Sequence, residues 1–143
     1  MTRPTRLREL SFRTESLGRM AVFLLPSLKL KQKKLGRSYE DVVHHFLMKH
    51  FGGYTASAGN IFGYWRDDET GREYYGEHKE YKVSFRGKDR VPMLQRFLSQ
   101  MAGELNEDSI YMEYGEDAWL VYAKRNFTTK NTKSTKTGNF SQG

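Results

Sequence analysis

At Asp89 the spacing of apolar residues changes from two to between three and four, and that change limits the folds open to the chain. Before it, Tyr81, Val83 and Phe85 alternate with Lys82 and Ser84, the period of a strand with one buried face. After it, Leu94, Phe97, Leu98, Met101, Ala102 and Leu105 recur at i, i+3, i+4, i+7, i+8 and i+11. That is one side of an amphipathic helix, with Pro92 tolerated in its first turn. A strand that runs directly into a helix, each apolar on one side, is expected to pack sheet against helix.

The same reading extends along the chain. Met20 to Leu25 is a short buried-strand pattern ended by Pro26. A basic loop covers Ser27 to Arg37. Ser38 with Asp41 three residues on has the arrangement that satisfies the first free amides of a helix, which is expected over about 39 to 51 and stops at Gly52-Gly53. Tyr54 to Trp65 and Arg72 to Phe85 flank the turn-forming Asp67-Asp68-Glu69-Thr70-Gly71 and predict a hairpin. Ser109 to Tyr114 and Ala118 to Tyr122 are two further strands around Gly115-Glu116-Asp117. The order predicts an α+β fold, the ferredoxin-like βαββαβ sandwich with a short extra C-terminal strand. In such a fold two helices cover one face of the sheet and the other face stays open. So many aromatic strand residues on an open face favour dimerisation through the sheet.

At 143 residues the chain has room for one core of ordinary size. No apolar run approaches the roughly 18 residues needed to span a bilayer, so no membrane partner is expected. The absence of Cys excludes disulfides, Cys-based zinc sites and thiol catalysis, and suits a reducing compartment, the cytoplasm of a host cell. Boundaries follow composition. Residues 1–19 form a basic N-terminal extension, 20–123 the domain, and 124–143 a Lys/Thr-rich tail too poor in apolar residues to order itself.

The formal net charge of +7 is unevenly spread. Residues 1–37 carry ten Lys and Arg against two acids, residues 124–143 five and none, and residues 38–123 nine against fifteen. An acidic globule with basic arms would meet nucleic acid through the arms. The candidate contacts are Arg3, Arg6, Arg8, Lys29, Lys31, Lys33, Lys34, Arg37, Lys124 and Arg125.

Catalytic signals are sparse. Glu77 and His78 interrupt a strand pattern, and a carboxylate of the same parity as Tyr75, Tyr81 and Val83 invites an acid/base role. Glu80, Glu113, Glu116 and Asp117 add carboxylates, but no spacing selects a pair. No nucleophile elbow and no phosphate-binding loop occurs. Asp41, His44, His45 and His50 share a helix, yet only Asp41 and His45 stand one turn apart, and two ligands do not hold zinc. Neither metal nor cofactor is expected.

Phe51-Gly52-Gly53-Tyr54-Thr55, then Gly63-x-Trp65-x-Asp67-x-x-x-Gly71, Glu77 with Tyr81-x-Val83, and Glu107-x-x-Ile110-Tyr111-Met112-Glu113 resemble a group of small uncharacterised phage and plasmid proteins. The resemblance covers about residues 20–123 and implies a mobile-element setting. It brings no established activity with it.

The resulting expectation is a small non-enzymatic binding protein of mobile-element type. Its partner would be nucleic acid or a nucleotide-containing host component, and it would act as a host-defence inhibitor. A second reading sequesters a small nucleotide or anion around Gly52, Gly53, Tyr54, Thr55, Gly59, Trp65, Glu77 and Tyr81 on the open sheet. A third is a hydrolytic enzyme using Glu77 and His78. A fourth binds a host protein through the acidic Glu107, Asp108, Glu113, Glu116 and Asp117.

Overall fold

Among the described residues a six-stranded sheet is backed by two helices, and two further short strands pair with each other alone. The computed structural model describes residues 11–124. In chain order the elements are β1 (Arg19–Pro26), a 3-10 turn (Lys29–Lys31), β2 (Lys33–Lys34), β3 (Arg37–Ser38), α1 (Tyr39–Phe51), β4 (Thr55–Ala56), β5 (Ile61–Arg66), β6 (Glu73–Phe85), α2 (Arg90–Glu104), β7 (Ser109–Tyr114) and β8 (Asp117–Tyr122). The strand order of the main sheet is β4-β6-β1-β7-β8, with every ladder antiparallel and β5 paired to the first half of β6. A mixed α+β architecture with two helices on a mostly antiparallel sheet is thus observed.

Local chemistry sets the helix ends. Ser38 Oγ accepts a hydrogen bond from the Asp41 amide at 3.0 Å, capping α1. Gly52, at φ +81, closes it by donating its amide to the Leu47 and Met48 carbonyls. Both helices lie on the face formed by Ala21, Phe23 and Leu25 of β1, Tyr81, Val83 and Phe85 of β6, and Ile110, Met112 and Tyr114 of β7. Against these pack Val43 and Leu47 of α1 and Leu94, Leu98, Met101 and Ala102 of α2. Phe46 and Phe97 stack 3.7 Å apart where the helices meet.

Two sequence expectations are corrected. The run Tyr54 to Trp65 is not one strand but β4 and β5. Between them Ser57 diverts the chain: its amide donates to the Glu80 carbonyl and its Oγ accepts from the Glu80 amide, both at 2.9 Å. Gly59, buried at φ +101, then passes Ser27 so closely that a Cβ would stand 3.2 Å from the Ser27 Cβ. The loop from Ser27 to Arg37 is also more structured than its composition suggests, because Leu30 is buried and β2 and β3 pair around Leu35 and Gly36, both at positive φ.

Gly18 lies against β6, where a Cβ would stand 2.1 Å from the Phe85 carbonyl oxygen. Arg86 donates to the Ser16 carbonyl beside it. The remainder of the expected N-terminal extension (1–10) and of the C-terminal tail (125–143) lies outside the described residues.

β6 is the long element. From His78 to Phe85 it pairs with β1, but from Glu73 to Glu77 its ladder partner among the described residues is β5 alone. The β5–β6 hairpin therefore leaves the body as an arm about 20 Å long, at roughly 3.3 Å per residue. Its turn is set by Asp67, whose Oδ1 accepts from the Glu69 and Thr70 amides, and by Gly71 at φ +74.

Candidate functional site

The face of the sheet away from the helices carries the chemistry. Strand parity places Met20, Val22 and Leu24 of β1, His78, Glu80, Lys82 and Ser84 of β6, Ser109, Tyr111 and Glu113 of β7, and Ala118, Leu120 and Tyr122 of β8 on this side. One cross-strand row reads Thr55, Lys82, Val22, Glu113, Ala118. Lys82 and Glu113 thus flank Val22 with backbones about 10 Å apart, two inter-strand spacings. Val22 is 8% exposed although no helix covers it. Long side chains that flank such a position can cover it with their aliphatic stems while their charged ends stay in water.

In the next row Glu80 stands opposite Leu24, and the Lys82 ammonium lies 4.0 Å from the Glu80 carboxylate. Tyr111 donates its hydroxyl to Glu113 Oε2 at 2.7 Å, and this bond to a carboxylate holds the phenol above its usual range. The open face therefore offers an apolar floor, carboxylates on both sides of it, one ammonium and the rings of Tyr111 and Tyr122. Such a surface suits a ligand that carries both charges and an apolar body.

The sequence-predicted ligand residues do not converge. Tyr81 is 1% exposed and stacks on Phe23 at 5.2 Å within the core, so it contacts no ligand. Burial pushes its hydroxyl well above the usual range. Gly52 and Gly53 end α1. Tyr54 packs on Tyr81 and its hydroxyl lies 2.8 Å from His44 Nδ1. Gly59 is buried against Ser27. Trp65 stands on the arm, stacked on Tyr74. Of the set, Thr55 lies on the open face, at the end of the Lys82 row.

Glu77 and His78 do not form the expected acid/base pair, because successive strand residues point to opposite faces. Glu77 sits opposite Phe62 on the helix side of the arm's base. His78 lies on the open side above the facing glycines Gly63 and Gly76, where a Cβ on Gly76 would come within 3.0 Å of its ring. Its Nδ1 is buried with no hydrogen-bond partner among the described residues.

The basic loop also differs from its sequence reading. Lys29 pairs with Glu107, Lys31 with Glu40 at 3.8 Å, Lys34 with Glu104 at 3.0 Å and Arg37 with Asp41 at 3.0 Å. The loop is a clasp across both helices rather than a free cationic arm, since its partners lie up to 78 residues away. Lys33 is exposed and Lys124 lies exposed at the end of the described chain, while Arg125, Arg3, Arg6 and Arg8 fall outside it. Residues 11–124 carry 17 Lys and Arg against 16 Asp and Glu, a nearly neutral body.

These pairs predict an acid limit to stability. Lys79 holds the Glu40 carboxyl below its ordinary value of 4.5, as Lys34 does for Glu104. A carboxyl depressed on folding stabilises the fold above its unfolded pKa and loses that contribution as pH falls through the folded one. The unfolding midpoint is expected to decline as pH drops below about 4.5, and the decline to be shallower in a Lys34→Ala, Lys79→Ala double variant. Thermal melts across the acid range check this; parallel declines in the two proteins would refute it.

Asp41 and His45 form the expected one-turn pair, at 3.3 Å. Among the described residues no three His, Asp or Glu side chains gather at metal-binding range, and no helix is long and apolar enough to cross a membrane.

Sequence reasoning listed Glu80 and Glu113 among five carboxylates without choosing them, and missed Lys82 and Tyr111. The available signal was parity. Once Tyr81, Val83 and Phe85 are assigned to the core, Glu80 and Lys82 must lie opposite, as must Tyr111 and Glu113 once Ile110 and Met112 are.

No protein-family model matches the chain, and no curated protein matches its sequence. Among solved structures, it is similar to a phage SAM lyase in complex with S-methyl-5'-thioadenosine, with TM-score 0.50 and 16% identity, covering 80% of this chain and 97% of that one. It is equally similar to a phage SAM lyase in the apo state, with TM-score 0.50 and 16% identity over 82% and 99% of the two chains. At this identity the likeness establishes a shared fold.

Proposed function

We propose that the protein is of phage type, binds S-adenosylmethionine on the open face of its sheet and breaks it down as a lyase, depriving a host cell of its methyl donor. The observation that carries this reading is the likeness to almost the full length of a phage SAM lyase that binds S-methyl-5'-thioadenosine. The ferredoxin-like description is part of the proposal, supported by the β1-α1-β4/β5-β6-α2-β7 order and by β1 and β6 lying side at the centre of the sheet.

The chemistry of the face fits the ligand. S-adenosylmethionine carries a sulfonium, an ammonium, a carboxylate and a ribose diol. Glu80 and Glu113 are placed to attract the cationic groups and accept from the diol, Lys82 to hold the carboxylate, and the Tyr111 ring to meet the sulfonium. Breaking the bond from sulfur to the amino-acid arm sends its electron pair to sulfur and yields S-methyl-5'-thioadenosine. The arm's own carboxylate oxygen closes on the carbon that sulfur leaves, so neither water nor a proton is required. The protein's task is then to fold the arm back on itself, which is positioning rather than acid/base work. That role suits a face without a convergent His and carboxylate pair.

Incubation of the full chain with S-adenosylmethionine, followed by mass spectrometry, is expected to show S-methyl-5'-thioadenosine accumulating beyond one equivalent. Retention of one intact equivalent would identify a sequestering protein instead. Absence of calorimetric binding by either compound would end the reading.

A further inference from the structure

We infer that the basic segment 125–143 docks on the helix side of the β5–β6 arm of its own chain. The arm is the acidic pole of the molecule. Residues 61–77 hold Asp67, Asp68, Glu69, Glu73 and Glu77 against Arg66 and Arg72, five acids to two cations and hence −3. The rest of residues 11–124 holds fifteen Lys and Arg against eleven Asp and Glu, hence +4. In the body Glu40, Glu104 and Glu107 have lysine partners, whereas no cation among the described residues lies within ion-pair distance of Asp68, Glu69, Glu73 or Glu77. On the same side of the arm as Glu73 and Glu77, the rings of Phe62, Tyr64 and Tyr75 are 53%, 76% and 71% exposed. Carboxylates beside open aromatic faces attract an ammonium group twice, by charge and by the ring quadrupole.

Segment 125–143 brings the complement. It contains Arg125, Lys130, Lys133 and Lys136 and no acid, so the body repels it and the arm attracts it. Strand register delivers it to the right end of the sheet. Tyr122, the last residue of β8, faces Ser109, the first of β7. The β1–β7 register sets Ser109 level with Pro26, which faces His78 at the base of the arm. The chain then turns to the helix side, where the Lys124 amide donates to the Ser99 carbonyl of α2. Three inter-strand spacings, about 14 Å, separate β8 from β6, a distance that about five residues span at roughly 3.3 Å each. An extended chain therefore reaches the base of the arm at Lys130, and from Lys130 to Lys136 it covers about 20 Å, the length of the arm. Lysines about 10 Å apart can thus meet Glu77, Glu73 and the Asp68–Glu69 turn in order. Attachment to the same chain keeps the segment at high local concentration, so individually weak surface pairs suffice. The docking leaves the open face of the sheet free, and the inference stands independently of the ligand.

Carbodiimide joins an ammonium to a carboxylate that touches it. In the full chain it is expected to link Lys130, Lys133 or Lys136 to Glu73, Glu77 or the Asp68–Glu69 turn, as read by peptide mass spectrometry. The yield should fall several-fold in about 1 M salt, where the screening length is about 3 Å. Mixing heavy-isotope and light-isotope chains identifies the partner. Links within one label support the inference, whereas links only between labels, links spread over carboxylates of the body, or none at all overturn it. The absence of native Cys permits a second readout. A nitroxide on Lys133→Cys is expected to broaden the amide resonances of residues 62–77 more than those of α1. Charge reversal on the arm, Asp68→Lys with Glu69→Lys and Glu73→Lys, should abolish that broadening while the body resonances stay dispersed. Adding Lys130→Glu and Lys136→Glu to the reversed arm should restore it. Broadening that survives the first reversal, or does not return with the second, refutes the docking.

Discussion

Replacing Phe23 by Ala is expected to lower the unfolding midpoint by roughly 15 °C, the largest loss from any single side chain discussed above. Phe23 is fully buried at the centre of the middle strand and lies nearly parallel to Tyr81, with ring planes 4° apart. Truncating a buried Phe removes its transfer energy and leaves a cavity, about 3–5 kcal/mol in all. In a body of this size each kcal/mol moves the midpoint by about 4 °C. The loss would consume a fifth or more of a typical total stability of about 5–15 kcal/mol. The cavity cannot collapse easily, because β1 is hydrogen-bonded on both edges, to β6 and to β7. Phe62→Ala on the arm serves as the control, since that ring is already half in water. Melts followed by far-ultraviolet circular dichroism check both; equal shifts would mean that the core face has been assigned wrongly.

The contrast between those two phenylalanines also shows what the sequence could convey. Both lie in short apolar strand runs, and pattern alone does not reveal which run has helices above it. Phe23 could be assigned because β1 is a central strand and both helical stripes need a sheet to cover. Phe62 belongs to the half of the hairpin that no other strand reaches, and this depends on where β1 ends relative to β6. That register is a property of pairing between residues some 50 positions apart. The helices were legible because their causes are local: Ser38 and Asp41 cap α1, Gly52 terminates it, and the 3.6-residue stripe from Leu94 to Leu105 specifies α2.

The candidate site was less legible for the same reason. Glu77 and His78 drew attention as unusual strand residues, but a strand separates neighbours onto opposite faces. Tyr81 looked like a ligand contact because aromatic residues on strands serve both recognition and core, and only the position of the helices decides between them. The lysines of the basic loop looked free because their partners Glu40, Glu104 and Glu107 are distant in sequence. Lys82, Val22 and Glu113 come from three strands and share a row only through two registers, so no local spacing could have joined them.

That row makes the sharpest functional prediction. S-methyl-5'-thioadenosine lacks the amino-acid arm and the positive sulfur of S-adenosylmethionine, so it offers no carboxylate to Lys82 and no cation to Glu113. In the proposed site Lys82→Met and Glu113→Gln should each weaken S-adenosylmethionine binding by roughly 10- to 100-fold, the range for losing a hydrogen bond to a charged group. Binding of S-methyl-5'-thioadenosine should change by less than about three-fold, because its base and ribose contacts are kept. Both side chains are on the surface and Gln preserves the shape of Glu, so the unfolding midpoint should stay within a few degrees of the parent. Titration calorimetry with both compounds on three proteins measures the difference directly. If both ligands weaken together, the two residues hold the nucleoside and the proposed orientation is reversed; if neither weakens, the ligand does not lie across this row.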